Sequence, residues 1–314
     1  MRTRVLITID TEFLWRPDTL AEGWEASFER GYDPARVGVP YQLELLARHG
    51  LKACFFVDPM PACLFGLEPI RRMVEPILAA GQEVQLHLHP QWAGADAEGA
   101  KKIFELASMK EDEQRAMIAR ARDLLIEAGA PPPVAFRAGS YAANDATLRA
   151  LASLGIRYDS SHNGGHHPWP SAVSLRGRQI APLLHQGVIE VPVSQIWDRT
   201  RLRNLQICAV SSSELEAALD HALAKKHAIV TIVSHSFELA ARNGLYANIT
   251  HLRRFERLCA LLGERQDELP TAFFTELADL PLGQPDRPLP HHPVRTVARQ
   301  ASQLWSNFVH ERRA

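Results

Sequence analysis

Short apolar runs alternate along the chain with longer stretches in which apolar positions return every third or fourth residue. The first rhythm predicts buried strands, the second amphipathic helices. Strands are expected at 4–9, 52–57, 83–88, 133–136, 156–159, 188–193, 228–234 and 271–274. Helices are expected at 39–49, 67–80, 112–128, 144–154, 213–226 and 249–263. In the helix at 112–128 the apolar stripe is Met117, Ile118, Ala121, Leu124 and Leu125, with charges elsewhere. Gly81 and Gly129 fall just past two of these helices, where a left-handed cap residue belongs. Alternation of this kind makes an α/β protein with a parallel sheet and crossover helices. Seven or eight such units suggest a closed or nearly closed barrel over residues 1–280.

After about residue 280 the texture changes. Pro281, Pro285, Pro288, Pro290 and Pro293 mark a linker. A helical pattern follows, with Val294, Val297, Ala298, Ala301, Leu304, Trp305 and Phe308 on one face. From 294 to 313 it carries Arg295, Arg299, Arg312 and Arg313 against Glu311, a net +3. Residues 281–314 therefore read as a linker and a basic amphipathic helix. Such a helix either packs on its own barrel or a second subunit, or lies on an anionic membrane.

Composition alters this picture little. With 314 residues, 46% of them hydrophobic, the chain can fill one large core. A net charge of -1 offers no global attraction to nucleic acid. Cys54, Cys63, Cys208 and Cys259 are scattered without CxxC spacing, and Cys54 sits inside a strand pattern as a buried thiol would. Met1 to Arg4 leads directly into the first strand, and no apolar run approaches the roughly 18 residues of a membrane span. The expectation is a cytoplasmic protein, with the basic helix able to bring it to the inner face of a membrane. No Gly-rich phosphate loop appears.

Candidate chemistry gathers where catalytic groups of parallel α/β folds sit, at the C-terminal ends of strands. Asp10-Thr11-Glu12 closes the first strand and His87-Leu88-His89-Pro90 the third. Residues two apart on a strand face one side, so each triplet aims two side chains in one direction. Arg137 follows the fourth strand, Asp159 ends the fifth and His235 the seventh. Two histidines with one carboxylate match a catalytic zinc site that keeps a position for water. A second carboxylate can then serve as base, and Arg137 can hold it through a bidentate pair. Trp15, Trp92, Trp169 and Trp197 each lie shortly after a strand, on the side of the site, where aromatic faces suit sugar rings. The stretch 13–38, with Trp15, Trp24 and Phe28, is expected to cover the site, and 162–167, rich in histidine and glycine, to form a rim loop.

These motifs, in this order, resemble the polysaccharide deacetylase family, the NodB-homology domain of carbohydrate esterase family 4. Ile7 to Glu12 resembles its first motif, normally Thr-Phe-Asp-Asp. Lys52-Ala53-Cys54-Phe55-Phe56-Val57 is similar to its Lys-Ala-Thr-Phe-Phe-Val strand. Glu83 to Pro90 resembles the His-rich second motif, Phe136 to Gly139 the third, Asp159 the fourth and Val233-Ser234-His235 the fifth. The resemblance covers roughly residues 3–280. It implies a distorted (β/α)7 barrel and metal-dependent removal of acetyl from an N-acetylated sugar. Glu12, His87 and His89 would then bind a divalent metal, most simply zinc. Asp10, held by Arg137, would be the base and His235 the acid, with Asp159 supporting Arg137 or His235. Because Asp-Thr-Glu replaces adjacent aspartates, the reverse roles for Asp10 and Glu12 stay open. The histidines are two apart where the family usually spaces them four apart. This His-x-His-Pro is similar to a branch associated with lipopolysaccharide and surface-glycan biosynthesis.

Two rival readings remain at this point. A metal-independent glycosidase would need two suitably spaced carboxylates and would leave His87 and His89 unexplained. A non-catalytic glycan-binding or assembly protein on the same barrel would have no use for Asp10, Arg137 and His235.

Overall fold

The computed structural model describes residues 2–14, 23–94 and 105–309. In chain order its strands are β1 (Arg4–Thr11), β2 (Ala53–Val57), β3 (Glu83–Leu88), β4 (Ala135–Ala138), β5 (Tyr158–Asp159), β6 (Leu183–His185), β7 (Val188–Glu190), β8 (Gln195–Asp198), β9 (Arg201–Asn204) and β10 (Ile229–His235). Its helices are α1 (Trp24–Tyr32), α2 (Val39–Arg48), α3 (Ala62–Phe65), α4 (Glu68–Ala79), α5 (Glu111–Glu127), α6 (Asp145–Ser153), α7 (Ser212–Lys225), α8 (Ile249–Glu264) and α9 (Pro293–Val309). The main sheet runs β10-β1-β2-β3-β4-β5-β7, all parallel, with β6 antiparallel at the edge. Seven parallel strands with covering helices make the distorted (β/α)7 barrel. Chain beyond β7 nearly closes it: Ser194 N donates to Thr231 O, and Ile207 N to Val233 O.

Both faces of the parallel strands are apolar because both are covered. Val5, Ile7 and Ile9 of β1 pack outward with the helices, alongside Phe55, Leu86 and Ile70. Leu6, Cys54, Phe56, Ala135 and Tyr158 fill the barrel interior. Its lower end is plugged by Phe274, whose ring lies 5.5 Å from Phe56 and 5.8 Å from Tyr158. The expected strand at 271–274 is therefore not a full strand. It makes one bridge, Thr271 to Val5. Ala272 N still donates to Val5 O, but Phe274 N and Thr275 N donate to the buried Glu83 carboxylate rather than to a ladder.

The six expected helices all form, as α2 and α4 to α8, with ends shifted by a residue or so. The stretch 13–38 contains α1, whose Phe28 and Tyr32 turn into the core. Segment 162–167 is buried at its start, at His162 and Asn163, and exposed at Gly165 and His166, with the His166 ring against Tyr141.

Helix α9 docks on the barrel through its polar side. Arg299 reaches Asp198 and Glu214 at 3.5 and 3.6 Å, Arg254 donates to Ser302, and Ser306 donates to Asn248. Val294, Val297, Leu304 and Trp305 of its apolar stripe face out, the opposite of ordinary packing on a core. The physical reason lies in the wall beneath, where Asp198, Glu214 and Asn248 present polar groups that Arg299 and Ser306 bond and an apolar face would not. Among the described residues no helix is long and apolar enough to cross a membrane.

Candidate active site

Period-two alternation builds the site one layer at a time. On β1, Leu6 belongs to the apolar interior, Thr8 and Asp10 stand above it, and Glu12 follows the strand. On β3, Glu83 and Gln85 hold backbone amides below while His87 sits at the top. The register places Asp10 beside His235 of β10 and His87 beside Arg137 of β4. Strand order and side-chain parity together bring these groups to one end of the barrel.

Glu12, His87 and His89 converge, with one ligand atom from each all within 4.8 Å of one another. Glu12 Oε2 lies 2.5 Å from His89 Nε2 and 3.8 Å from His87 Nε2. His87 Nδ1–H donates to the Arg137 carbonyl at 2.8 Å, which leaves Nε2 with its lone pair toward Glu12. Burial alone would raise Glu12, but the neighbouring His89 and His87 hold it down at about 2. Burial would lower His89, and Glu12 overrides it, lifting the imidazole to about 9. His87, with burial dominant, falls to about 4 and is neutral. A converging set of two imidazoles and one ionised carboxylate fits a divalent cation. His89 takes its place because residue 139 is glycine: a Cβ there would lie 2.5 Å from the imidazole ring.

Asp10 belongs to a second group. Arg137 Nη1 donates to Asp10 Oδ1 at 2.7 Å and to Thr8 Oγ1 at 2.9 Å. Its Nε and Nη2 bond the Ser160 carbonyl and hydroxyl, and its guanidinium lies over the Phe56 ring at 4.4 Å. The pair is thus single-toothed rather than the expected bidentate one, because Ser160 occupies the other donors. Asp10 Oδ2 faces His235 Nε2 at 3.8 Å. Burial would lower His235, but Glu238 and then Asp10 raise it to about 9.

Asp159 stands apart from this group. Its carboxylate accepts from Ser161 N and Oγ, and Ser161 Oγ in turn accepts from Ala138 N. It faces the buried Glu190, whose carboxyl burial and the Asp159 charge push well up. Through Ser161 and Ala138 it braces the backbone beside Arg137, whose charge also acts on the Asp159 carboxylate. Trp92 is 1% exposed, wedged edge-on against Phe13 and packed on Phe65, so its faces are closed to a sugar. Trp169 is exposed on the rim. Trp197, under Arg178, lines a cavity of about 660 Å³. That cavity shares Cys208 and Gln303 with one of about 350 Å³ beside His235. Trp15 lies outside the described residues.

Residues 18–158 match the polysaccharide deacetylase family model. Over that stretch, a little under half of its length, the chain is similar to the polysaccharide deacetylases. Among solved structures it is similar to a Mycobacterium smegmatis protein assigned to the polysaccharide deacetylases, at 20% identity and TM-score 0.50, over 91% of this chain and 96% of that one. A family 4 carbohydrate esterase from Streptomyces lividans, in complex with acetate, matches at 13% and 0.43 over 90% and 98%. A family 4 pseudoenzyme from Bacillus anthracis matches at 14% and 0.47 over 93% and 70%. No match was found among curated proteins.

Two residues of the site escaped the sequence pattern. Glu238, three after His235, takes the His235 backbone N–H at 3.0 Å and stands 3.6 Å from Nδ1. Burial would raise Glu238, yet His235 brings it down to about 2. Asp58, directly after β2, is lifted to about 7 by burial against the pull of His89. The rule that marked the other strand ends applies to Asp58 equally. Glu238 lies in a turn, where spacing carries no such signal.

Proposed function

We propose that this chain is a metal-dependent N-deacetylase acting on an amino sugar of a surface-glycan or lipopolysaccharide intermediate. The observation that carries the reading is the meeting of Glu12, His87 and His89 with Asp10–Arg137 and His235 at one barrel end. Two imidazoles and a carboxylate suit zinc best. A divalent cation there supplies a Lewis acid that polarises the acetamide carbonyl and acidifies water.

The protein's own groups handle the protons. Asp10 Oδ2, not engaged by Arg137, accepts the proton of water as its oxygen bonds to the carbonyl carbon. His235, protonated at neutral pH, gives its Nε2 proton to nitrogen as the C–N bond breaks. Acetate and the free amine result, and the proton on Asp10 can return across the short gap to His235. Trp197 and the two neighbouring cavities, which share Cys208 and Gln303, support a sugar-sized occupant. The His-x-His-Pro spacing supports the surface-glycan branch. Four free cysteines support a reducing, cytoplasmic setting.

Acetate release from N-acetylated sugars, alongside elemental analysis of bound metal, tests the reading. The wild type should hold about one zinc-like ion and release acetate, and His87→Ala/His89→Ala should lose both. Metal and glycan binding without acetate release would transfer the assignment to a binding protein.

A further inference from the structure

Helix α9 presents to solvent the side that a packed helix normally hides. Val294, Val297, Leu304 and Trp305 are each 65% or more exposed, while Arg299 and Ser306 are buried beneath them. A second apolar projection stands nearby. Leu245 and Tyr246, in the loop after β10, are 67% and 58% exposed, and Ile249 begins α8 beside them. Ile249 and Trp305 line one shallow cavity with Arg253, so the two projections adjoin.

We propose that this joint surface docks on an anionic lipid bilayer and sets the mouth of the catalytic cavity at the membrane. Position supports it. Gly244 and Gln303 line the cavity beside His235, and each directly precedes an exposed apolar pair, Leu245-Tyr246 and Leu304-Trp305. Charge supports it independently. The whole chain has 36 acidic against 35 basic residues, yet 239–255 and 287–310 contain no Asp or Glu. Arg253 lines the same cavity as Ile249 and Trp305, Arg242 lies three residues before Leu245, and Arg295 follows Val294. Trp and Tyr prefer the headgroup level, and arginines at the rim suit lipid phosphates. A second copy of the chain would bring the same arginines face to face, which like charge disfavours. The docking goes beyond the deacetylase reading and names the surface from which a lipid-anchored substrate would enter.

Flotation of the full chain with phosphatidylcholine vesicles, with and without phosphatidylglycerol, tests the proposal. The protein should float with the anionic vesicles only, and salt should release it. Leu304→Asp/Trp305→Asp should lower the bound fraction roughly tenfold. Leu245→Asp/Tyr246→Asp should do the same without touching α9. Unchanged circular dichroism and unchanged acetate release from a soluble sugar would show that both variants fold. Flotation needs no turnover, so docking can fail while deacetylation stands, and the reverse. The proposal is overturned by absence of flotation on anionic vesicles, or by flotation that neither variant weakens. It is equally overturned by light scattering that finds a dimer broken by Leu304→Asp/Trp305→Asp, since a second copy would then cover the stripe.

Discussion

Arg137 gives Asp10 one N–H, at 2.7 Å on Oδ1, and leaves Oδ2 turned toward His235. Both partners are closed off from solvent. Ser160, Thr8 and the Phe56 ring fix the guanidinium, so the carboxylate has one oxygen engaged and one available. That division leaves one carboxylate oxygen of a buried, oriented side chain free to accept a proton.

Two substitutions separate these roles. Asp10→Asn keeps the shape and the Arg137 contact but removes the proton acceptor. It should retain metal while turnover falls roughly 10²–10⁴-fold, read by acetate release and elemental analysis. Arg137→Met takes the hydrogen-bonded partner from a buried carboxylate, leaving only the more distant His235, and should cost about 3–5 kcal/mol in denaturant unfolding. Near-normal turnover in Asp10→Asn would remove Asp10 from the base role.

The sequence disclosed most of the barrel because its signals were local. Each expected helix had a complete stripe, and each long strand was a mostly apolar run buried on both faces, with its few polar residues inside the barrel or at the strand ends. The site followed from parity: Asp10 with Glu12, and His87 with His89, share a face whatever the rest of the fold does. What stayed hidden depends on contacts distant in sequence. The β8–β9 hairpin mixes Gln195, Asp198, Arg201 and Arg203, which lack strand periodicity. Their register is set by pairing and by the Arg203 links to Asp198 and Glu214. Trp92 and Trp169 were equivalent as sequence, since which aromatic is enclosed depends on Phe13 and Phe65 arriving from elsewhere. The orientation of α9 was equally out of reach, because its stripe says which face is apolar and not which face meets Asp198.

Glu238 should govern the alkaline limb of activity. His235 must carry its proton to act as acid, and its folded value of about 9 lies above the ordinary 6.5. Activity should therefore persist through neutral pH and fall as pH rises through about 9. Glu238→Gln removes the largest raising influence, so the limb should move toward neutrality in a kcat–pH profile, with metal content unchanged. The raised value also means that the stability from this pair is complete below pH 6.5 and lost as pH climbs through about 9. A limb that stays in place in Glu238→Gln would assign it to another group.

Gly139→Ala tests a steric claim. The new methyl would sit 2.5 Å from His89 Cε1 and Nδ1, so the ring must turn away from Glu12. Metal affinity should weaken about 10–100-fold, with a stability loss of about 1–3 kcal/mol from overpacking. Competition against a chromophoric chelator reads the first and urea unfolding the second. Wild-type affinity in this variant would mean that His89 does not depend on the close approach.

Metal uptake should be linked to the proton on His89. Without metal, Glu12 holds that imidazole protonated up to about 9, while His87, at about 4, is already neutral. A cation binds only the neutral imidazole, so uptake near neutral pH must expel about one proton. Competition by that proton predicts that affinity climbs about tenfold for each pH unit below 9 and levels above it. Calorimetry in buffers of different ionisation enthalpy counts the released proton directly. His89→Gln should abolish the release along with much of the affinity, whereas Asp10→Asn should leave it intact, since Asp10 pairs with Arg137 rather than with the ligand set. Proton release that persists without His89 would place the linked group elsewhere, with Asp58, raised to about 7, as the neighbouring carboxyl to examine next.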